Sequence, residues 1–145
     1  MAITQAIANA FKKQLMEGDM EFQSGGDKFK LALYTSSATL NSATTAYAAT
    51  NEVANSGQYT AGGGLLVNVN VSMTAGVARA DFGDRSFTGV TLTARGALIY
   101  NTSSATTNAA VCVLDFGADK TATSGTFTVQ FPAQTSTAAI LRISG

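Results

Sequence analysis

Histidine and tryptophan are absent from this chain, cysteine and proline occur once each, and only 12% of the residues are charged. The missing histidine removes the commonest general base, the usual zinc ligand and every histidine-dependent nucleophilic triad. A single cysteine, Cys112, permits no intrachain disulfide and implies no oxidising compartment. Set among valines and without a base, it reads as a small buried apolar filler rather than a nucleophile. No run approaches transmembrane length and the N-terminus lacks the apolar core of a signal peptide, so a protein made and kept soluble is expected. Nine basic and nine acidic residues give a formal net charge of +0. With no basic face or tail, a direct nucleic-acid partner has no electrostatic footprint.

What is present is Ala, Thr, Ser and Gly, in 145 residues that suffice for one domain with its own core. Much of the surface is therefore neutral and small-polar, which defends weakly against association and suits a protein working in contact with neighbours. The same composition also fits a Thr-rich β protein with no such habit.

The densest apolar pattern lies between Arg95 and Phe116. Two short runs, Ala97 to Tyr100 and Ala109 to Phe116, flank a Thr/Ser/Asn tract from Asn101 to Asn108 with the composition of a hairpin loop. In the second run Ala110, Cys112 and Leu114 fall on one face and Val111 and Val113 on the other, the mark of a strand covered on both sides.

Residues 1 to 22 read as a helix and its exit. Thr4 is placed to cap it, Ile3, Ile7, Phe11 and Leu15 form one stripe at four-residue steps, and Gly18 with Asp19 ends it. An element with one apolar side must dock, either over its own sheet or as an arm on a neighbouring subunit. Two lysines beside downstream acids make too weak a basic face for a membrane. Residues 23 to 145 then form the β domain. Phe29 to Tyr34 alternates as a half-buried strand. From Thr35 to Gly64 a long covering loop or docking segment is expected, with a short helix near Ala46 to Asn51 and with Tyr47, Val53 and Tyr59 as isolated anchors. The triple Gly62 to Gly64 lacks the Lys-Ser/Thr and helix of a phosphate-binding loop.

Further strands are expected at Leu65 to Ser72, Val77 to Phe82, Val90 to Thr93, Thr126 to Phe131 and Ala139 to Ile143. In the first, Leu65, Val67, Val69 and Val71 share a face opposite Leu66, Asn68, Asn70 and Ser72. Turns are expected at Thr74 to Gly76 and Thr121 to Gly125, and Pro132 stops the penultimate strand. The predicted fold is an all-β antiparallel sandwich, in jelly-roll form, with an N-terminal amphipathic helix.

Asp-Phe-Gly occurs twice, at Asp81 to Gly83 and Asp115 to Gly117, each read as closing a strand. Neither the catalytic loop nor the Gly-rich loop of a kinase accompanies it, and no EF-hand spacing supports a Ca²⁺ site. The phenylalanines read as core plugs and the acids as turn starters. Asp81, Asp84, Glu52 and Asp115 offer carboxylates for glycoside hydrolysis, but nothing fixes their separation. No catalytic residue, metal ligand or cofactor is assigned.

Six stretches taken together resemble a family of small all-β structural proteins of tailed-bacteriophage virions, nearest the capsid cement (decoration) type. They are AFKKQLMEGDMEF (10–22), FKLALYTSSATL (29–40), QYTAGGG (58–64), FTGVTLTARGALIYN (87–101), AVCVLDFGADK (110–120) and FTVQFPAQTSTAAILRI (127–143). The resemblance implies synthesis in a host cytoplasm and a post on the capsid exterior, where many copies bind the major capsid protein and stabilise the head. Self-association as a dimer or trimer would suit icosahedral axes. Neck, tail or fibre posts are the alternatives within that class, and a glycan-binding adhesin module is the alternative outside it, weakened by the absence of Trp. Contacts are expected from the helix stripe (Ile7, Phe11, Leu15) and from the loop around Tyr47 and Tyr59.

Overall fold

A computed structural model describes residues 2–67, 69–132 and 139–144. Among the described residues the chain forms β1 (Ala6–Ile7), α1 (Asn9–Met16), β2 (Phe29–Tyr34), β3 (Gly64–Leu65), β4 (Asn70–Thr74), β5 (Val77–Asp81), β6 (Arg85–Asn101), β7 (Ala109–Val129) and β8 (Leu141–Ile143). They assemble into two antiparallel sheets, one ordered β1-β7-β6-β2-β3 and the other β4-β5-β8. The architecture is mostly antiparallel β with two sheets and one short helix, as an all-β sandwich requires.

The expected hairpin is the spine of the molecule. β6 and β7 pair from Asn101↔Ala109 at the loop down to Arg85↔Val129. Ala109 to Val113 and Gly96 to Asn101 are buried without interruption, so this end of the pair is covered on both faces. The two strands are far longer than expected because the predicted turn at Thr121 to Gly125 continues as strand. A bulge at Ser124, in the left-handed region at φ 46°, absorbs it. Asp115-Phe116-Gly117 likewise sits inside β7 rather than closing it. There Gly96 pairs with Asp115 and Ala94 with Lys120, so residues 116–119 bulge out opposite Arg95, whose Nε donates to Asp119 Oδ1 at 2.9 Å.

The N-terminal segment departs most from expectation. The helix spans only Asn9–Met16 and is preceded by Ala8, with no side-chain cap from Thr4 or any other residue. Ala6 and Ile7 instead pair with Val113 and Cys112, Ala8 N–H donates to the Val111 carbonyl, and Ile3 lies parallel to Leu40. β7 is so apolar at this point that an open edge would leave its backbone groups without partners in a buried place. Covering that edge outweighs the helical spacing of Ile3 and Ile7. The exit is as expected: Gly18, at φ 80°, and Asp19 donate back to the Leu15 and Gln14 carbonyls.

β2 occupies its predicted span, but it is buried on both sides rather than one, Lys30 alone remaining half-buried. The cover is the 35–64 loop, which is neither free nor helical near Ala46 to Asn51. Ala46 bridges to Ala109, Tyr47 N–H donates to Asn108, Thr35 N–H to Asn51 and Val53 N–H to Leu33. The expected strand from Leu65 to Ser72 breaks into β3 and β4, which belong to different sheets. Leu66 is buried while Leu65, Val67 and Val71 are exposed, the reverse of a uniform inward Leu/Val face; Asn68 lies outside the described residues. The Thr74 to Gly76 turn is present, with Ala75 and Gly76 both at positive φ, and Ala139 to Ile143 yields strand at Leu141–Ile143.

A run of rings ties helix and sheets together. Phe11 meets Phe22 edge-on at 5.8 Å, Phe22 stacks on Phe29 of β2 at 4.6 Å, and Phe29 approaches Phe82 at 5.6 Å. Phe82 follows β5 and continues to Phe131 at 5.8 Å. These rings join α1 and β2 of the large sheet to the segment that follows β5 of the small one.

Candidate functional site

The five residues expected at interfaces fall into two places. Ile7, Phe11 and Leu15 line a groove of about 860 Å³ between α1 and the small sheet, together with Val71, Ala80 and Leu141. Phe11 is buried in its floor, and Ile7 and Leu15 pack partly against the core. The stripe therefore packs on the chain's own fold, the first of the two dockings expected of it, and not as an arm. What remains open is the rim, where Met16 is 90% exposed, Ile143 59% and Val71 50%, and beside it on the same sheet face Met73 at 72%. The register explains why these lie together. Val71 pairs with Ala80 and Ala80 with Leu141, Met73 with Ala78 and Ala78 with Ile143, so six apolar residues share one face of β4-β5-β8.

Tyr47 and Tyr59 belong to the second place, and Tyr59 corrects the expectation outright. It is 0% exposed, so it offers nothing to a partner surface. Its ring meets Phe87 edge-on at 5.0 Å. Its hydroxyl accepts from Leu33 N–H at 2.8 Å and donates to Glu52 Oε2 at 2.7 Å. Tyr47 donates to Glu52 Oε1 at 2.5 Å and stacks on Tyr100 at 4.8 Å. Gly62 N–H donates to Glu52 Oε2 at 2.7 Å while Tyr100 donates to the Gly62 carbonyl. Tyr34 donates to Ala48 O at 2.7 Å. All four tyrosines of the chain thus surround one half-buried carboxylate.

Burial is the first reason that every one of these phenols titrates high. Hydrogen bonds to Glu52 add to the effect at Tyr47 and Tyr59, and the Glu52 charge adds at Tyr34 and Tyr100. Tyr100 is pushed up to about 12 and the other three higher, from an ordinary value of 10.0. Between those limits the folded chain keeps protons that the unfolded chain has released. Stability from these groups is therefore whole below pH ~10 and is lost as pH rises through the folded values. Absorbance near 295 nm should show no stepwise phenolate signal between pH 9 and 11; all four tyrosines should ionise with the loss of near-UV circular dichroism. A tyrosine titrating near 10 in the folded state would contradict the arrangement.

In the sequence Tyr47 and Tyr59 stand out as anchors, whereas their target does not. The signal was available, since Glu52 is the only charged residue between Thr35 and Gly64. Its carboxylate is occupied by three donors; of the other acids considered for hydrolysis, Asp81 has its Oδ1 buried without a hydrogen-bond partner among the described residues, while Asp84 and Asp115 are engaged. Asp84 accepts from Phe131 N–H at 2.9 Å and Asp115 from Gly117 N–H at 2.8 Å. Cys112 is buried, and desolvation pushes its thiol up to about 12. Among the described residues no three His, Cys, Asp or Glu side chains converge as metal ligands, and no helix is long and apolar enough to cross a membrane. Comparison with family models, curated proteins and solved structures finds no match to this chain.

Proposed function

We propose that this chain is a bacteriophage virion structural protein of the capsid cement type, without catalytic activity, which binds the major capsid protein on the outside of the head. The observation that carries the reading is the open apolar face of α1 and the small sheet. Met16, Val71, Met73 and Ile143 stand together on a chain with few charges to keep neighbours away. The sequence resemblance supplies the class of partner. The jelly-roll form of the sandwich belongs to the same proposal: β1 neighbours β7, β2 neighbours β6 and β5 neighbours β8 across long connections, as a Greek-key winding requires. So does self-association, which on a lattice lets many weak contacts add into firm retention.

Co-sedimentation with shells of the major capsid protein tests it. The chain should bind to saturation at symmetry-related sites, and Met16→Asp should weaken binding about tenfold or more, as burying a charge in an apolar contact does. Both variant and parent should unfold at similar denaturant concentrations, because Met16 is 90% exposed. Absence of the chain from the head in images of intact particles, or its presence only at neck or tail, would overturn the cement assignment.

A further inference from the structure

β4 is an edge: among the described residues it pairs with β5 alone. Natural sheets blunt their edges with charge, proline, bulges or a covering segment. Asn70–Thr74 reads Asn-Val-Ser-Met-Thr, with neither charge nor proline, and pairs with β5 in unbroken register. The two-residue turn Ala75-Gly76 closes on the pair Thr74↔Val77, which in such a hairpin exchanges its backbone hydrogen bonds. Alternation then commits the backbone groups of Ser72 to β5 as well, and turns the N–H and C=O of Val71 and Met73 outward.

We propose that β4 is the seam of a symmetric dimer, pairing antiparallel with β4 of a second copy about a two-fold axis at Ser72. In that register Val71 of each copy faces Met73 of the other. Both are outward-turned residues, so each pair exchanges two backbone hydrogen bonds, while Ser72 faces its own copy. Exposed apolar side chains meet on one face and polar ones on the other, because the strand reads polar-apolar-polar-apolar-polar in either direction. A two-fold axis perpendicular to the sheet preserves its faces, so the two three-stranded sheets become one of six with a continuous apolar side.

Charge agrees with self-pairing. No like charges meet at an uncharged strand, whereas a strongly charged foreign segment would find no complement on it. The nearest cation is Arg79 on β5, tied to Ser72 Oγ at 2.8 Å. The β5 strands of the two copies stand three strand spacings apart, about 14 Å, beyond the ~8–10 Å screening length.

The inference rests on the self-association in the reading above and not on shell binding, so the test uses the purified full chain alone. A seam of this size is smaller than the ~1,200–2,000 Å² of tight complexes. Sedimentation velocity should therefore show monomer passing to dimer between about 1 µM and 1 mM. Met73→Lys should weaken dimerisation at least about tenfold, while Leu65→Lys, exposed but on β3 of the other sheet, should leave it unchanged. Ser72→Cys should form a disulfide-linked dimer on mild oxidation, since opposed residues of this pair type lie ~4.5 Å apart at Cα; buried Cys112 does not compete. A monomer throughout the range, open-ended oligomers, a Met73→Lys dimer of unchanged affinity, or a dimer that Ser72→Cys fails to link would each overturn the seam. A monomeric chain that still decorates shells refutes the dimer alone, and a dimer that ignores shells refutes only the cement reading.

Discussion

Glu52→Ala is expected to be among the most damaging single changes outside the apolar core, lowering stability by about 4 kcal/mol. The substitution leaves the hydroxyls of Tyr47 and Tyr59 and the Gly62 N–H without their acceptor. Each donor to a charged group contributes about 1.5–3 kcal/mol, and an orphaned buried donor costs its desolvation as well. Not all of that is lost, because Glu52 is half-buried and water can reach part of the cluster. Glu52→Gln keeps the shape and one acceptor oxygen and should cost roughly 1–2 kcal/mol. Urea denaturation followed by tyrosine fluorescence measures both. For a chain of this size a loss near 4 kcal/mol moves the midpoint by about 2 M. A shift smaller than that of Glu52→Gln would mean that the carboxylate is solvated and the four-tyrosine cluster holds nothing together. Loss of Glu52 should also loosen the 35–64 cover over β2, so amide exchange at Leu33 and Val53 should accelerate before that of β6 and β7.

The second large effect is expected at Gly63, where Ala should cost about 3–5 kcal/mol or prevent accumulation of folded protein. Two causes act together. The residue sits at φ 83°, where a side chain is strained by about 1–2 kcal/mol. A Cβ there would also stand 1.8 Å from the Leu31 carbonyl oxygen, so the backbone of β2 or of the loop must shift. Gly18 separates the causes: at φ 80° with nothing within 4 Å of a Cβ, Gly18→Ala should cost only about 1 kcal/mol. Equal losses at the two sites, read from denaturation midpoints, would show that close approach to β2 plays no part. The glycine triplet, empty of phosphate-loop logic as a sequence motif, is thus the place where the loop lies down on the sheet. It also sets Gly62 to bridge Glu52 and Tyr100.

How much was readable beforehand depends on whether a residue's partner is near in sequence. The β6–β7 loop, the β2 span, the Thr74–Gly76 turn and the stop after Met16 all rest on local chemistry: alternation, turn composition and a glycine free to take positive φ. Each was in place. Three of the errors share one cause, a competitor outside the local pattern. Ile3 and Ile7 have helical spacing, yet the edge of β7, more than a hundred residues away, claims Ile7 for strand pairing, and Leu40 takes Ile3. Leu65 to Ser72 alternates well enough for one strand, yet β2 and β5 each take a part of it. Tyr59 reads as an exposed anchor in a polar loop, yet Glu52, Leu33 and Phe87 draw it wholly inside.

By itself the sequence determined the class of object. An antiparallel β protein, without histidine and with one inert cysteine, follows from composition and period-two patterning, because those depend on each residue's own chemistry. Only the tertiary structure decided which apolar groups are spent inside and which are left over. It turned the helix stripe and Tyr59 inward, gathered four tyrosines on one carboxylate, and left Val71, Met73 and Met16 exposed among the described residues. Burial is a property of the whole packing, since a side chain is exposed only when nothing elsewhere in the chain competes to cover it.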